Sequence, residues 1–184
     1  MNRPSLEAQF SSISDDIAYN SHDLQDGAKA GLFKIEDLSE IPVISEIIYK
    51  HKKKYRNKER ELVLNEIIRD IINEMVRDVI ENTKKNIRYE NPKNIRDIYK
   101  AKTQLVEFSD KMKDFEQEIK FFLNENMYKH KIVSNKTKHG MKIVKTLFKK
   151  IIKNPKKFVK NTYLYKFEKE RMVCDFIAGM TDRY

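Results

Sequence analysis

The sequence predicts an all-α protein, and three observations support this. Charged residues make up 36% of the 184 residues, and the chain has only 4 Gly and 4 Pro. This balance is typical of long helices with solvated faces and unlike a turn-rich all-β fold. Apolar residues also recur at helical spacing in several segments. We expect residues 1–184 to form one domain, a multi-helix orthogonal bundle, because no Pro/Gly/Ser-rich linker divides the sequence.

The first helix is expected to begin at Pro4, because the missing N–H of proline is not needed in the first turn of a helix. Gly27 and Gly31 indicate a loop after this helix. One apolar stripe at helical spacing runs along it, formed by Leu6, Phe10, Ile13, Ile17 and Leu24.

The rest of the chain also shows helical periodicity, interrupted by recognisable boundary residues. Pro42 interrupts the second helical segment, Asn91-Pro92 predicts a turn, and Ser109 is a candidate N-cap. Further helices are expected over residues 35–50, 57–87, 110–122, 133–153 and 167–180.

The charge balance favours polyanionic partners. The net charge is +10, with 38 Lys and Arg against 28 Asp and Glu. Nucleotides, nucleic acids and anionic lipid all suit such an excess, and the basic stretches 50–56 and 149–160 could contact phosphates. The alternative is an ordinary solvated surface, rich in Lys, Ile and Asn as A/T-rich genomes produce. No nucleic-acid-binding motif accompanies these stretches, so the solvated-surface interpretation is favoured.

The single cysteine, Cys174, excludes an internal disulfide and a structural zinc site built on several cysteines. Its apolar neighbours predict that it is buried. The N-terminus has no apolar stretch typical of a signal peptide, and no run is long enough to span a bilayer. We therefore expect a cytoplasmic protein without a membrane partner.

The densest group of polar residues lies on the first predicted helix. Asp15, Tyr19 and Asp23 are each four residues apart and share one helical face. Two carboxylates and a phenol on one stripe can provide a metal ligand and hydrogen bonds to a hydroxylated substrate. The alternative is the ordinary wet face of an amphipathic helix.

Several motifs in order resemble the dGTPase-like triphosphohydrolases of the HD superfamily. They are Ser5–Gln9, Asp15–Leu24, Asp26-Gly27, Ala30–Leu32 and the tail Val173–Tyr184. The resemblance brackets nearly the whole chain, while the middle matches mainly in helical character. It implies the C-terminal portion of an HD-type phosphohydrolase, in which residues 1–32 end the catalytic core and 33–184 form the helical phosphohydrolase-associated region.

The resemblance implies an enzyme that cleaves a dNTP into a deoxynucleoside and inorganic triphosphate. A divalent cation such as Mg²⁺ or Mn²⁺, held by two His and two Asp, would activate water. Asp15 takes the place of the last metal-binding aspartate. Tyr19 and Asp23 fall where the family contacts the deoxyribose near its 3′-hydroxyl, and a tyrosine ring there can crowd out a 2′-hydroxyl.

More loosely, Met127–His130 resembles a stretch that closes the nucleotide pocket in relatives. Tyr128 and His130 are therefore candidate substrate-binding residues. Ordinary packing at a helix end is an equal alternative for both.

The sequence also departs from the family, because the other three metal ligands lie N-terminal to the motif at Asp15. Only 14 residues precede Asp15 here, and none is a histidine. The leading hypothesis is a truncated chain, incomplete alone, whose site is completed by a separate N-terminal HD-domain polypeptide. A homo-oligomer is a second partner that the resemblance suggests, because relatives are often oligomeric. The alternatives are a non-enzymatic basic module that binds nucleic acid or a protein partner, and a decayed remnant without function.

Overall fold

The computed structural model describes residues 3–55, 59–159 and 169–181, and these residues confirm the all-α prediction. They contain helices and turns but no strand. They fall into two compact units, one ending at His130 and one beginning at Lys131. The α-helices are α1 (Leu6–Lys29), α2 (Pro42–Lys54), α3 (Arg60–Glu90), α4 (Ile95–Lys100), α5 (Asp110–Leu123), α6 (Lys131–Lys153) and α7 (Lys169–Ala178). No helix among the described residues is both long and apolar enough to cross a membrane.

Helix α1 packs against α3 and α5 in the first unit. Ser5 caps it, since the Ser5 hydroxyl accepts a hydrogen bond from the Ala8 N–H at 3.3 Å. Gln25 donates to Asn65 at 2.7 Å, and Lys29 lies 3.3 Å from Glu61. The last turns of α1 thus meet the first turns of α3, so the two helices pack antiparallel.

The Gln9 side chain on α1 forms hydrogen bonds with the irregular segment between α4 and α5. Its side-chain carbonyl accepts hydrogen bonds from the backbone N–H groups of Leu105 and Val106, at 2.9 and 3.1 Å. On the other side of the same segment, Asn82 and Asn86 of α3 donate to backbone carbonyls at 3.0 and 3.1 Å. Amide side chains therefore satisfy backbone groups that no regular element would pair.

The loop predicted at Gly27 is wrong, because α1 continues through Gly27 to Lys29. A Cβ at Gly27 would lie 2.3 Å from the Phe33 ring and 3.4 Å from the Met127 sulfur. Gly27 is thus required for close packing and not for a turn. Gly31 does lie in the turn, with φ +70°.

The remaining predicted boundaries agree with the structure within a few residues. Pro42 is the first residue of α2, after a 3₁₀ turn over Ile35–Glu40. Asn91 ends α3 in the left-handed conformation, with φ 46°. The Ser109 hydroxyl caps α5 by accepting from the Met112 N–H at 3.4 Å.

The second unit contains α6, a 3₁₀ turn over Pro155–Lys157, and α7. The start predicted for the last helix, residue 167, lies outside the described residues. The prediction that Cys174 is buried is wrong, because its side chain is exposed. Met172 and Val173 occupy the buried face of α7, and the next residue along the helix points away from that face.

Candidate sugar-binding site

The polar stripe on α1 lies beside its buried face and not on it. The buried face carries Gln9, Ile13, Ile17, Asn20, Ser21, Leu24 and Gly27. Asp15 and Tyr19 are exposed, and Asp23 is half-buried at the edge of this face. A helix rises about 6 Å over four residues, so the three side chains are spaced at steps of that length.

Tyr128 joins this stripe from the far end of the first unit. Its hydroxyl donates a hydrogen bond to Asp23 Oδ2, across 105 positions of sequence. The Tyr19 side chain lies near enough to contribute to the raised pKa of the Tyr128 phenol. The structure therefore brings Tyr19, Asp23 and Tyr128 together, and we refer to these three residues as the tyrosine–aspartate cluster.

The environment of Tyr128 keeps its hydroxyl protonated. Burial raises the pKa of the Tyr128 phenol well above its ordinary value, and the hydrogen bond to Asp23 and the nearby Tyr19 raise it further. A phenolate beside the Asp23 carboxylate would place two negative charges in contact. The Tyr128 phenol is therefore a hydrogen-bond donor and not a proton acceptor in the neutral pH range.

A wide π turn over Asn124–Tyr128, directly after α5, places Tyr128 at the stripe. Met127 in this turn packs against Gly27 of α1. The Phe33 ring also contacts Gly27, and it meets the Phe122 ring edge-on with 4.9 Å between the ring centroids. A side chain at position 27 would push these groups away from α1, so Gly27 sets the approach of the turn.

His130 ends the first unit two residues beyond Tyr128 and is half-buried. Its backbone N–H donates to the Met127 carbonyl at 3.1 Å. The structure thus places His130 at the end of the same turn, while the Asp23 contact belongs to Tyr128.

Asp15 offers a carboxylate on the exposed side of α1. Within residues 3–55, 59–159 and 169–181, no group of three or more His, Cys, Asp or Glu side chains could hold a metal ion. The described residues therefore do not by themselves fit a catalytic divalent cation, which needs several protein ligands.

Known proteins that resemble this chain include one domain family and several curated relatives. Residues 106–184 match the phosphohydrolase-associated domain family. A deoxyguanosinetriphosphate triphosphohydrolase-like protein of Pelagibacter ubique (strain HTCC1062) is 48% identical over 183 residues, covering 100% of this chain and 49% of the relative. Proteins of the same name from Parvibaculum lavamentivorans and Leptospira interrogans are each 33% identical, covering 97% and 100% of this chain and 46% and 49% of those relatives.

Similarity to these dGTPase-like proteins extends over essentially the whole of this chain. The chain matches the C-terminal part of these proteins and spans about half the length of the curated relatives it matches. The phosphohydrolase-associated match begins at residue 106, so it includes Tyr128, whereas the α1 stripe lies outside it. The division expected at residue 33 stays a prediction.

Sequence reasoning missed a second polar group of the first unit, around His51. This residue is 2% exposed, and its Nε2 lies 2.9 Å from Asp70 Oδ2 on α3. The Tyr55 ring stacks on the imidazole at 5.5 Å between centroids. His51 stands within a run of lysines, which suggested a solvated stretch; the signal was its position one turn after the apolar pair Ile47 and Ile48.

The charge of the chain is concentrated in one part of the sequence. Residues 131–184 carry 15 Lys and Arg against 4 Asp and Glu, whereas residues 1–130 carry 23 against 24. Helix α6 contains no acidic residue. Six exposed lysines recur along one side of it at intervals of three, four or seven residues: Lys131, Lys138, Lys142, Lys145, Lys149 and Lys153. We call these six residues the lysine stripe.

Proposed function

We propose that this chain supplies the deoxyribose-binding part of a dNTP triphosphohydrolase site. The tyrosine–aspartate cluster is the observation that carries this proposal. It joins a motif on α1 to a turn more than a hundred residues later, in a chain whose relatives are named triphosphohydrolase-like. Two phenols around one carboxylate form a small polar surface suited to a hydroxylated ring.

Asp23 and Tyr19 of the cluster, and His130 close to it, each have a proposed role in binding the nucleotide. Asp23 accepts a hydrogen bond from the 3′-hydroxyl of the sugar, just as its carboxylate accepts one from the Tyr128 hydroxyl in this structure. Tyr19, with 59% of its surface exposed, presents its ring to the sugar and disfavours a 2′-hydroxyl. His130 lies beside the same turn and contacts the nucleotide from that side.

Asp15 would contribute one ligand to a divalent cation such as Mg²⁺ or Mn²⁺. Because the described residues offer no three-ligand group, the other ligands must come from elsewhere. We propose that they are supplied by a polypeptide that corresponds to the N-terminal part of the relatives. The complete site would then span both parts, in one copy or within a homo-oligomer.

The proposal is tested by mixing this chain with the N-terminal part of the Pelagibacter ubique relative. Triphosphate release from a dNTP mixture is measured with Mg²⁺ or Mn²⁺ for each part alone and for the mixture. We expect release only in the mixture, and loss of release with Asp15→Ala. Asp16→Ala is the matched control, since Asp16 is the neighbouring exposed aspartate of α1. Release that is equal in Asp15→Ala and wild type would contradict the proposal.

A second candidate function is favoured by the lysine stripe, which suits a polyanion such as nucleic acid. Such binding releases counterions and weakens steeply as salt rises. The double change Lys142→Glu and Lys145→Glu should abolish binding to a single-stranded oligonucleotide at low salt. The double change Lys84→Glu and Lys85→Glu, at exposed positions of α3, is the control. Oligonucleotide binding that does not respond to salt would contradict this second function.

A further inference from the structure

The carboxylate proposed to bind the ligand hydroxyl is already engaged in this structure. The Tyr128 hydroxyl donates to Asp23 Oδ2, as a sugar hydroxyl would. Tyr128 therefore imitates the ligand at the position where the ligand is recognised. A ligand hydroxyl must displace Tyr128 from this oxygen or share the carboxylate with it.

We infer that Tyr128 is a displaceable latch: an incoming deoxynucleoside hydroxyl takes its place on Asp23, and the turn Asn124–Tyr128 opens. This inference rests on the proposed function of the tyrosine–aspartate cluster. It assigns to the turn a role in regulating access, in addition to any contact it makes with the nucleotide.

The turn is built so that it can move as a unit. None of its five residues is buried, whereas Leu123, immediately before it, is 1% exposed. Two residues of the turn contact α1: Met127 packs against Gly27, and the Tyr128 hydroxyl donates a hydrogen bond to Asp23. The Lys129–Glu125 pair is local and would move with the turn, whereas the bond from Asn126 to the Phe122 carbonyl joins the turn to the end of α5, about which the turn would open. Segments with few buried contacts open at low free-energy cost.

Tyr128 competes with the ligand hydroxyl for Asp23, and this competition should lower the apparent affinity for the ligand by a measurable factor. When only a fraction of molecules has a free binding site, the apparent affinity falls by that fraction. At a partly exposed position such as Tyr128, a hydrogen bond of ordinary net strength is enough to keep most molecules closed. Removing the Tyr128 hydroxyl should therefore tighten binding of a hydroxylated ligand by roughly threefold to tenfold.

The test compares wild type with Tyr128→Phe by titrating 2′-deoxyguanosine and 2′,3′-dideoxyguanosine into the full chain, followed by NMR. We expect Tyr128→Phe to bind the deoxynucleoside about threefold to tenfold more tightly, with little change for the dideoxynucleoside. Tyr89→Phe, at a tyrosine of α3 that is 88% exposed, is the matched control and should bind as wild type does. Deoxynucleoside binding that is unchanged or weaker in Tyr128→Phe would overturn the latch alone. No deoxynucleoside binding to any form would overturn the proposed sugar site together with the latch.

A second measurement examines the contact without any ligand. The tyrosinate absorbance of wild type minus that of Tyr128→Phe gives the titration of Tyr128 itself. We expect this titration to lie above the ordinary tyrosine range in wild type and to move down in Asp23→Asn, since the carboxylate charge is removed. An ordinary titration that Asp23→Asn leaves unchanged would overturn the latch even if the sugar site binds its ligand.

Discussion

At the scale of single residues, Gly27 has the largest structural consequence. The missing side chain lets the Phe33 ring and Met127 approach α1, and Met127 belongs to the turn that carries Tyr128. Local sequence rules associate glycine with loops, and they predicted a loop at Gly27, which lies inside helix α1. The close approach could not be predicted, because it depends on residues up to a hundred positions away that only the fold brings together.

Gly27→Ala should destabilise the first unit by about 1–3 kcal/mol, because its Cβ would overlap a ring that Phe122 holds in place. Gly140→Ala is the control: Gly140 is also helical, and a Cβ there meets nothing within 4 Å. This control should stabilise its helix by about 0.5–1 kcal/mol. Urea unfolding measures both changes. Equal stability of Gly27→Ala and wild type would show that the packing around Gly27 relaxes freely.

At the scale of elements, periodicity and capping residues predicted most helices with useful boundaries. Pro42 and Ser109 act through the backbone next to them, so their effects can be predicted from sequence alone. The contacts between elements could not be predicted in this way. Gln9 reaches Leu105 and His51 reaches Asp70 only because the helices pack as they do.

The contact between α2 and α3 should depend on pH through Asp70. Burial raises the pKa of Asp70, but the His51 hydrogen bond and the charges of His51, Lys50 and Arg69 lower it by more, so the net shift is downward. A carboxyl group with a lower pKa in the folded than in the unfolded protein stabilises the fold. This contribution is fully present at pH values above the unfolded-state pKa, and it is lost as the pH falls through the folded-state pKa.

Wild type should therefore be more stable to urea than Asp70→Asn at neutral pH, and the difference should shrink as the pH falls below the ordinary pKa of an aspartate and through the lowered pKa of Asp70. Asp114→Asn, at an exposed position of α5, controls for the general effect of acid and should show no such convergence. A constant difference between wild type and Asp70→Asn at every pH would contradict this interpretation.

At the scale of the whole molecule, the candidate sugar-binding residues and the excess of positive charge lie in two different regions of the sequence. The tyrosine–aspartate cluster lies in the first unit, whereas the excess of lysine lies in residues 131–184. The motif around Asp15 could be recognised from sequence because it is contiguous. Tyr128 was a looser prediction, since its contact with Asp23 spans 105 positions and depends on tertiary packing.

The most direct test of the account fuses this chain to the N-terminal part of the Pelagibacter ubique relative and compares dGTP with 2′,3′-dideoxy-GTP. A site that hydrogen-bonds a substrate hydroxyl discriminates strongly against the analogue that lacks it. We predict that the fusion prefers dGTP in kcat/KM by about 100-fold or more, and that Asp23→Asn removes most of this preference by lowering the rate with dGTP. An Asp23→Asn fusion that keeps the full preference would show that another residue recognises the 3′-hydroxyl, and would contradict the account.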